Sequence, residues 1–227
     1  MKEISSLSPR ARASAGVHSV SLHRALWFAV GGIALAAGAL AGYAVLRPGA
    51  EPLKFNARDV TGVPWGKDFQ LTDHAGNPRT LADFRGKVVM LFFGFTHCTD
   101  VCPSTLAMLA QAMRLLGDDA RQVQGLFVTV DPKRDTPEVL AKYVPAFHPT
   151  FLGLYGDEAA TARAAQEFKI YHHAHEPDKR GSYDVEHSGQ VYLLDPEGRL
   201  RLFFRSRDAS PESVAHDLRL LIRGGTG

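Results

Sequence analysis

Hydrophobic residues fall into one long run near the N-terminus and a series of shorter runs after residue 65. The long run, Ala25–Val45, is 21 residues without a charge, which is the length of a helix that crosses a bilayer. Basic residues precede it at Lys2, Arg10, Arg12 and Arg24. Because positive charge is retained on the cytoplasmic side, the pattern predicts a cytoplasmic tail over 1–24 and a transmembrane anchor over 25–46.

Two other interpretations of this N-terminal segment stay open. A secretory signal has a shorter apolar core, of about 7–15 residues, but the small residues Ala37-Gly38-Ala39 would permit cleavage. The first 24 residues, which contain Ser and Arg, also fit a mitochondrial presequence. The predicted location is the bacterial inner membrane, with one span and the soluble domain in the periplasm. The mitochondrial inner membrane is the alternative.

The shorter runs follow a segment with three prolines and two glycines, which is predicted to be a linker over 47–64. The elements predicted after it are, in chain order, a hairpin around His74–Pro78, a strand at Val88–Phe93, a helix through Leu106–Leu116, a strand at Gly125–Val130, a helix from Thr136 to about Phe147, a strand at Phe151–Leu154, a helix from Asp157 to about Phe168, a loop over Tyr171–Glu186, a hairpin of Val191–Leu194 with Leu200–Phe204, and a helix from Ser210 that ends before Gly224. Strands that alternate with helices indicate an α/β domain over 65–227, with helices on both faces of its sheet.

The composition is that of an ordinary globular protein, with 45% hydrophobic and 22% charged residues in a chain of 227. The net charge of +2 says little about partners. There is no cluster of Lys and Arg interleaved with aromatic residues, so nucleic-acid binding is not expected. Two cysteines are too few for a disulfide framework or for a closed Cys-rich zinc site.

The two cysteines, Cys98 and Cys102, lie where the first central strand turns into a helix. Pro103 is tolerated only in the first helical turn because it has no N–H, which puts the N-cap at about Thr99 or Asp100. Both thiols would then lie near the positive end of the helix dipole. That position favours the thiolate, the form that binds soft metals or attacks disulfides. A Cys motif at such a turn indicates a thioredoxin-like domain, whose ligands bind beyond the carboxyl ends of the strands.

Two thiolates rarely complete a metal site, so a third ligand is expected at the same edge of the sheet. Ten histidines compete for this role. His187 lies just before the strand Gly189–Leu194 and is therefore carried by an ordered element, although a histidine at such a position is more often a surface residue. His172, His173 and His175 form a histidine-dense stretch that fits a solvated loop better than a metal site.

Three polar residues, Asp131, Arg134 and Asp135, follow the second central strand and reach the same edge of the sheet. A turn followed by a helix cap explains them equally well, so the sequence assigns them no role in the site. Met108 and Met113 follow the apolar pattern of the helix and are predicted to be core residues rather than ligands.

Three motifs resemble those of the Sco/SenC family of copper chaperones. GFTHCTDVCPSTL (94–106) resembles the family's cysteine signature, VDPKRDTP (130–137) a second motif and YDVEHSGQVYLLDPEGRL (183–200) its histidine block. The resemblance runs in register from about Asp68 to the last helix, and it implies a membrane-tethered thioredoxin-like domain. The chain departs from the family at Thr99, where a proline is common, and at Glu186, where an aspartate is usual.

By this resemblance, Cys98 and Cys102 are copper thiolates and His187 is the third ligand. Soft thiolates suit Cu(I), and an imidazole helps to hold Cu(II), so both oxidation states are expected. The implied function is a copper metallochaperone that delivers copper for the CuA centre of cytochrome c oxidase. The implied partners are the copper-binding subunit of the oxidase and another copper chaperone as donor.

The main alternative is a thiol–disulfide oxidoreductase that reduces the cysteines of the oxidase copper site, in which case Cys98 and Cys102 would be the redox-active pair of an enzyme. Against it, three residues separate the cysteines, whereas ordinary thioredoxins have two. A histidine also lies near the place where those enzymes have a proline. A peroxidase or redox sensor that uses Cys98 is a weaker alternative, because no recognised peroxidatic motif surrounds it.

Overall fold

The computed structural model describes residues 54–224, together with Gly32 and Gly38. The chain divides into two compact units, Met1–Pro52 and Leu53–Gly227, and the elements below all belong to the second. Within the described residues, no helix is both long enough and apolar enough to cross a bilayer. The anchor predicted over 25–46 lies outside the described residues, apart from the two glycines, and stays a prediction.

The described part of the second unit contains ten strands and four α-helices. The strands are β1 (Arg58–Asp59), β2 (Leu71–Asp73), β3 (Pro78–Arg79), β4 (Val88–Gly94), β5 (Val123–Thr129), β6 (Leu152–Tyr155), β7 (His172–Ala174), β8 (Val185–His187), β9 (Gln190–Leu194) and β10 (Leu200–Arg205). The helices are α1 (Val101–Leu116), α2 (Pro137–Tyr143), α3 (Glu158–Glu167) and α4 (Pro211–Gly224).

Eight of these strands form one mixed sheet in the order β1-β10-β9-β4-β5-β6-β2-β3. β4, β5 and β6 run parallel to one another, whereas β9 pairs with β4 in the antiparallel sense. β4 and β5 are buried along their whole length, as expected for continuous apolar runs in the centre of a sheet. α1 packs against α4, and α4 also contacts β4. The α/β architecture that the sequence predicts is therefore confirmed.

The predicted linker is shorter than the sequence indicates. Its residues 58–59 form β1, which pairs with β10 at the edge of the sheet. The buried carboxylate of Asp217 in α4 accepts hydrogen bonds from the backbone N–H groups of Asn56 and Ala57, at 2.9 and 2.7 Å. The folded domain therefore begins before residue 65. A two-residue edge strand gives no periodic signal by which the sequence could predict it.

The loop predicted over Tyr171–Glu186 contains a second, two-stranded sheet made of β7 and β8. His187 lies just before β9, as predicted, but it is also the last residue of β8, where it pairs in register with His172. The sequence hides this hairpin because only one of its six strand residues, Val185, is buried. A smaller difference concerns α2, which ends earlier than predicted because Pro145 has no N–H to continue it.

The turn between β4 and α1 is held by the buried carboxylate of Asp135. This carboxylate accepts hydrogen bonds from the backbone N–H of Thr96 at 3.0 Å, from the Thr96 hydroxyl at 2.6 Å and from the Thr129 hydroxyl at 2.6 Å. Burial raises the pKa of Asp135, and the hydrogen bonds oppose that shift because they favour the carboxylate. Since Thr129 ends β5, one side chain fastens the cysteine-bearing turn to the neighbouring strand.

We expect Asp135→Ala to lower the free energy of unfolding by about 1–3 kcal/mol, because the buried hydroxyl of Thr129 and the partly buried donors of Thr96 lose their acceptor. Urea denaturation measures this change, and faster amide hydrogen exchange at Thr96 would locate it. Asp208→Ala removes an exposed carboxylate and serves as the control, with an expected change within about 0.5 kcal/mol. Equal stability of the two variants would contradict the role given to Asp135.

Candidate metal centre

Cys98, Cys102 and His187 come together beyond the carboxyl end of β4. Their two sulfur atoms and one imidazole nitrogen all lie within 4.8 Å of one another. Cys102 Sγ is 3.3 Å from His187 Nε2, and the backbone N–H of Cys102 donates to Cys98 Sγ at 3.4 Å. The structure thus brings together the three residues predicted from the sequence, although Cys102 and His187 are 85 positions apart along the chain.

The helix start places the two cysteines in different environments. Asp100 is the N-cap of α1, as predicted, so Cys98 precedes the helix and Cys102 lies in its first turn. Cys98 is partly buried, whereas Cys102 is fully buried, and both are free thiols. Gly94 makes this close packing feasible, because a Cβ there would lie 2.9 Å from Cys102 Sγ. Glycine is therefore required at position 94 for a steric reason, since any larger residue would collide with the sulfur of Cys102.

The expectation that the helix dipole makes both cysteines thiolates is wrong for Cys102. Burial raises the pKa of the Cys102 thiol far above its ordinary value, and the neighbouring Cys98 raises it further. A backbone hydrogen bond with Phe95 opposes the shift but does not overcome it. In the metal-free site Cys102 is therefore a protonated thiol, and a bound cation would have to replace its proton.

His187 is fixed as a neutral ring that presents Nε2 to the cysteines. Its ring makes edge contacts with Phe92 and Phe95, at centroid distances of 6.1 and 5.7 Å. Nδ1 lies 3.2 Å from the carbonyl oxygen of Ser188, which can only accept, so the ring proton is on Nδ1. Burial lowers the pKa of His187, which keeps the ring neutral. The lone pair of Nε2 is therefore free to accept the Cys102 S–H or to bind a metal.

A brace of charged and aromatic side chains, to which the sequence analysis assigned no role, supports the hairpin that carries His187. The guanidinium of Arg134 forms an ion pair with Asp131, donates to the carbonyl of Tyr183 at 2.8 Å and lies 3.7 Å from the centre of the Tyr183 ring. The Tyr183 hydroxyl donates to Asp131 at 2.7 Å. In the sequence, Asp131 and Arg134 stand out as polar residues after a strand. Tyr183 is the first residue of the histidine block, but nothing in that block marks it as a support for His187.

The centre opens into a surface cleft of about 1070 Å³. Cys98 and His187 line the cleft, as do Val101 and Tyr171, which are two of the three large hydrophobic side chains exposed among the described residues. Met113, by contrast, is buried in the core, which agrees with its predicted role. The site therefore offers two of its three donor residues to a molecule that docks at the surface.

Comparison with known proteins identifies the family to which this chain is similar. A family model described as SCO1/SenC matches residues 59–223. The mitochondrial protein SCO2 homolog of Mus musculus is 43% identical over 154 residues, which are 67% of this chain and 60% of that protein. The chain thus spans less than two thirds of the length of that curated relative.

Solved structures support the same assignment. Bradyrhizobium japonicum ScoI, solved with copper bound, is 38% identical with a TM-score of 0.64, over 69% of this chain and 99% of that one. The apo Sco1 protein from Thermus thermophilus is 40% identical with a TM-score of 0.67, over 76% of this chain and 99% of that one. These similarities confirm the predicted thioredoxin-like α/β fold, and with the family match they show that the chain belongs to the SCO1/SenC family.

Proposed function

We propose that this protein is a copper metallochaperone that binds copper through Cys98, Cys102 and His187 and delivers it for assembly of the CuA centre of cytochrome c oxidase. The observation that supports this most is the meeting of two sulfurs and one neutral imidazole nitrogen within reach of a single ion. The copper-bound structure of the Bradyrhizobium relative supports copper as the metal.

The donor set fits copper in both oxidation states. Two thiolates form a soft site that suits Cu(I), and the imidazole adds the nitrogen donor that Cu(II) prefers. Buried Cys102 is the residue that gains most from a cation, because its thiolate is otherwise uncompensated. Copper binding should therefore release the proton of Cys102.

The same geometry suits a site that gives its metal away. Cys98 and His187 border the open cleft, so donor atoms of an acceptor protein can approach the ion from that side. Three protein ligands leave room for such an incoming donor, and transfer then proceeds by stepwise ligand exchange. We propose that the copper-binding subunit of the oxidase accepts the copper and that another copper chaperone supplies it. A membrane anchor over 25–46 would hold the domain on the periplasmic face of the bacterial inner membrane.

The second candidate function is reduction of the oxidase cysteines by the Cys98–Cys102 pair. The observation in its favour is that both cysteines are free thiols in close proximity. The raised pKa of Cys102 makes that residue a poor nucleophile, so Cys98 would have to attack and Cys102 to resolve the mixed disulfide. The imidazole of His187 is not required for that chemistry, and this separates the two candidates.

We expect Cys98→Ser and Cys102→Ser each to abolish tight Cu(I) binding and to leave the fold intact, because each removes one sulfur donor and keeps the side-chain shape. Competition with a Cu(I) chelator measures the affinity, and circular dichroism checks the fold. Met108→Leu is the matched control, since it removes from α1, the helix of Cys102, a sulfur that we do not count as a ligand. Tight one-to-one Cu(I) binding in the double Cys variant would sink the proposed centre.

We expect His187→Ala to lose stable Cu(II) binding, to keep weakened Cu(I) binding and to fail in assembly of the oxidase copper centre, while its cysteines still cycle between thiol and disulfide. The reason is that two thiolates hold Cu(I) partly, whereas Cu(II) depends more on the nitrogen donor. Electron paramagnetic resonance measures Cu(II) binding, and oxidase activity is assayed in copper-limited cells. His172→Ala, which alters the histidine opposite His187 in the hairpin, is the control.

Normal oxidase activity with His187→Ala, together with loss of activity with Cys98→Ser, would favour the oxidoreductase over the chaperone. That outcome would mean that the thiols alone carry the function.

The proposed orientation in the membrane is tested with a reporter fused after Gly227. Because the basic residues precede the uncharged span, the C-terminal side of the chain should lie outside the cytoplasm. A reporter enzyme that works only outside the cytoplasm should therefore be active in this fusion. A matched fusion to a reporter that works only in the cytoplasm should be inactive. Activity of the cytoplasmic reporter would show that the orientation is reversed.

A further inference from the structure

The hairpin of β7 and β8 carries a second group of metal-binding side chains, on the face opposite to His187. Residues paired across an antiparallel ladder point to the same face, and neighbours along a strand point to opposite faces. His172 pairs with His187, so both belong to the face of the copper centre. His173 pairs with Glu186, and both therefore belong to the other face.

The side-chain contacts agree with this register. His175 lies two residues beyond His173, on the same face, and the two imidazole rings are 5.1 Å apart between centroids. Nε2 of His175 is 3.5 Å from a carboxylate oxygen of Glu186. Two imidazoles and one carboxylate are thus gathered on one side of a two-stranded ribbon, although the sequence alone suggested an unstructured loop.

These side chains are free to close around an ion. His173 is exposed, and the side chains of His175 and Glu186 have exposed fractions of 47% and 61%. Their donor atoms do not form a compact group within 4.8 Å, unlike those of the copper centre. The remaining distance is spanned by side-chain rotation, since exposed side chains exchange between staggered rotamers without displacing packed neighbours.

We propose that His173, His175 and Glu186 form a second metal site for a divalent ion that prefers nitrogen and oxygen donors, with Cu(II) bound most tightly. Imidazole and carboxylate ligands suit Cu(II) and Zn(II), and Cu(II) heads the affinity order among divalent first-row metals. The site contains no sulfur, so it lacks the donors that favour Cu(I). It is independent of the proposed chaperone function, because it shares no ligand with the Cys98 centre.

The test uses the full chain with the first centre removed by Cys98→Ser, Cys102→Ser and His187→Phe, and the probe is Cu(II) alone. The phenyl ring removes the nitrogen donor but keeps an aromatic ring against Phe92 and Phe95, so the hairpin keeps that support. This host should bind one equivalent of Cu(II), with an electron paramagnetic resonance spectrum that shows two coupled nitrogens. In the host, His173→Ala and His175→Ala should each weaken Cu(II) binding by at least about 10–100-fold. Loss of a residue that only supports a metal ligand already costs that much, and these histidines would be ligands themselves. Glu186→Gln should weaken it less, because the amide keeps an oxygen donor, although a poorer one than a carboxylate, whereas Ala removes the donor altogether.

His172→Ala in the same host is the matched control, since it removes a histidine of the same strand from the opposite face. Unchanged binding in this control supports the proposal. An equal loss with His172→Ala overturns the assignment to one face, and the absence of saturable one-to-one binding in the host overturns the site altogether.

If circular dichroism shows the host to be unfolded, the titration is made on the native chain with its first centre filled by Cu(I), which gives no paramagnetic signal. Loss of chaperone activity would leave each of these results unchanged, so the two proposals fail separately.

Discussion

The buried carboxylate of Asp135 is the contact on which the geometry of the metal centre depends. A turn that follows a buried strand leaves backbone and hydroxyl donors without partners, and burial makes unpaired donors costly. Asp135 satisfies three of them at once, on Thr96 and Thr129. The desolvation that raises its pKa is the cost of this arrangement. In return, the segment that leads to Cys98 is held against β5, and α1 begins at a fixed position.

Burial also decides the charge state of the metal-free site. Cys102 is held as a thiol and His187 as a neutral ring, and their contact at 3.3 Å suits a proton shared from sulfur to nitrogen. A bound soft cation would replace that proton and would supply positive charge where the apolar surroundings disfavour a bare thiolate. The partly exposed Cys98 keeps access to the cleft. In the proposed function, the buried sulfur of Cys102 would retain the metal and the accessible sulfur of Cys98 would take part in its transfer.

Sequence patterns predict the central part of this fold because the physics there is local. The continuous apolar runs of β4 and β5, the helical period of α1 and the position of Pro103 each have a nearby cause, and the helix start is correct to within one residue. The contact between Asp135 and Thr96 spans 39 positions, and no local pattern announces it. The thiol form of Cys102 is likewise a property of burial, which the helix dipole alone does not reveal.

The hairpin of β7 and β8 was missed for a further reason, which bears on function. A two-stranded ribbon has too little buried surface to be stable alone, so its sequence shows no hydrophobic alternation. The structure stabilises it from outside, by the contact of Arg134 with Tyr183 and by the packing of His187 against Phe92 and Phe95. The two sulfur donors are therefore carried by a turn fastened to the main sheet, and the nitrogen donor by a separate ribbon that needs a brace. If the centre binds copper as proposed, the nitrogen donor is the one that Cu(II) would need most, and the contact between Arg134 and Tyr183 would influence that donor without touching the metal.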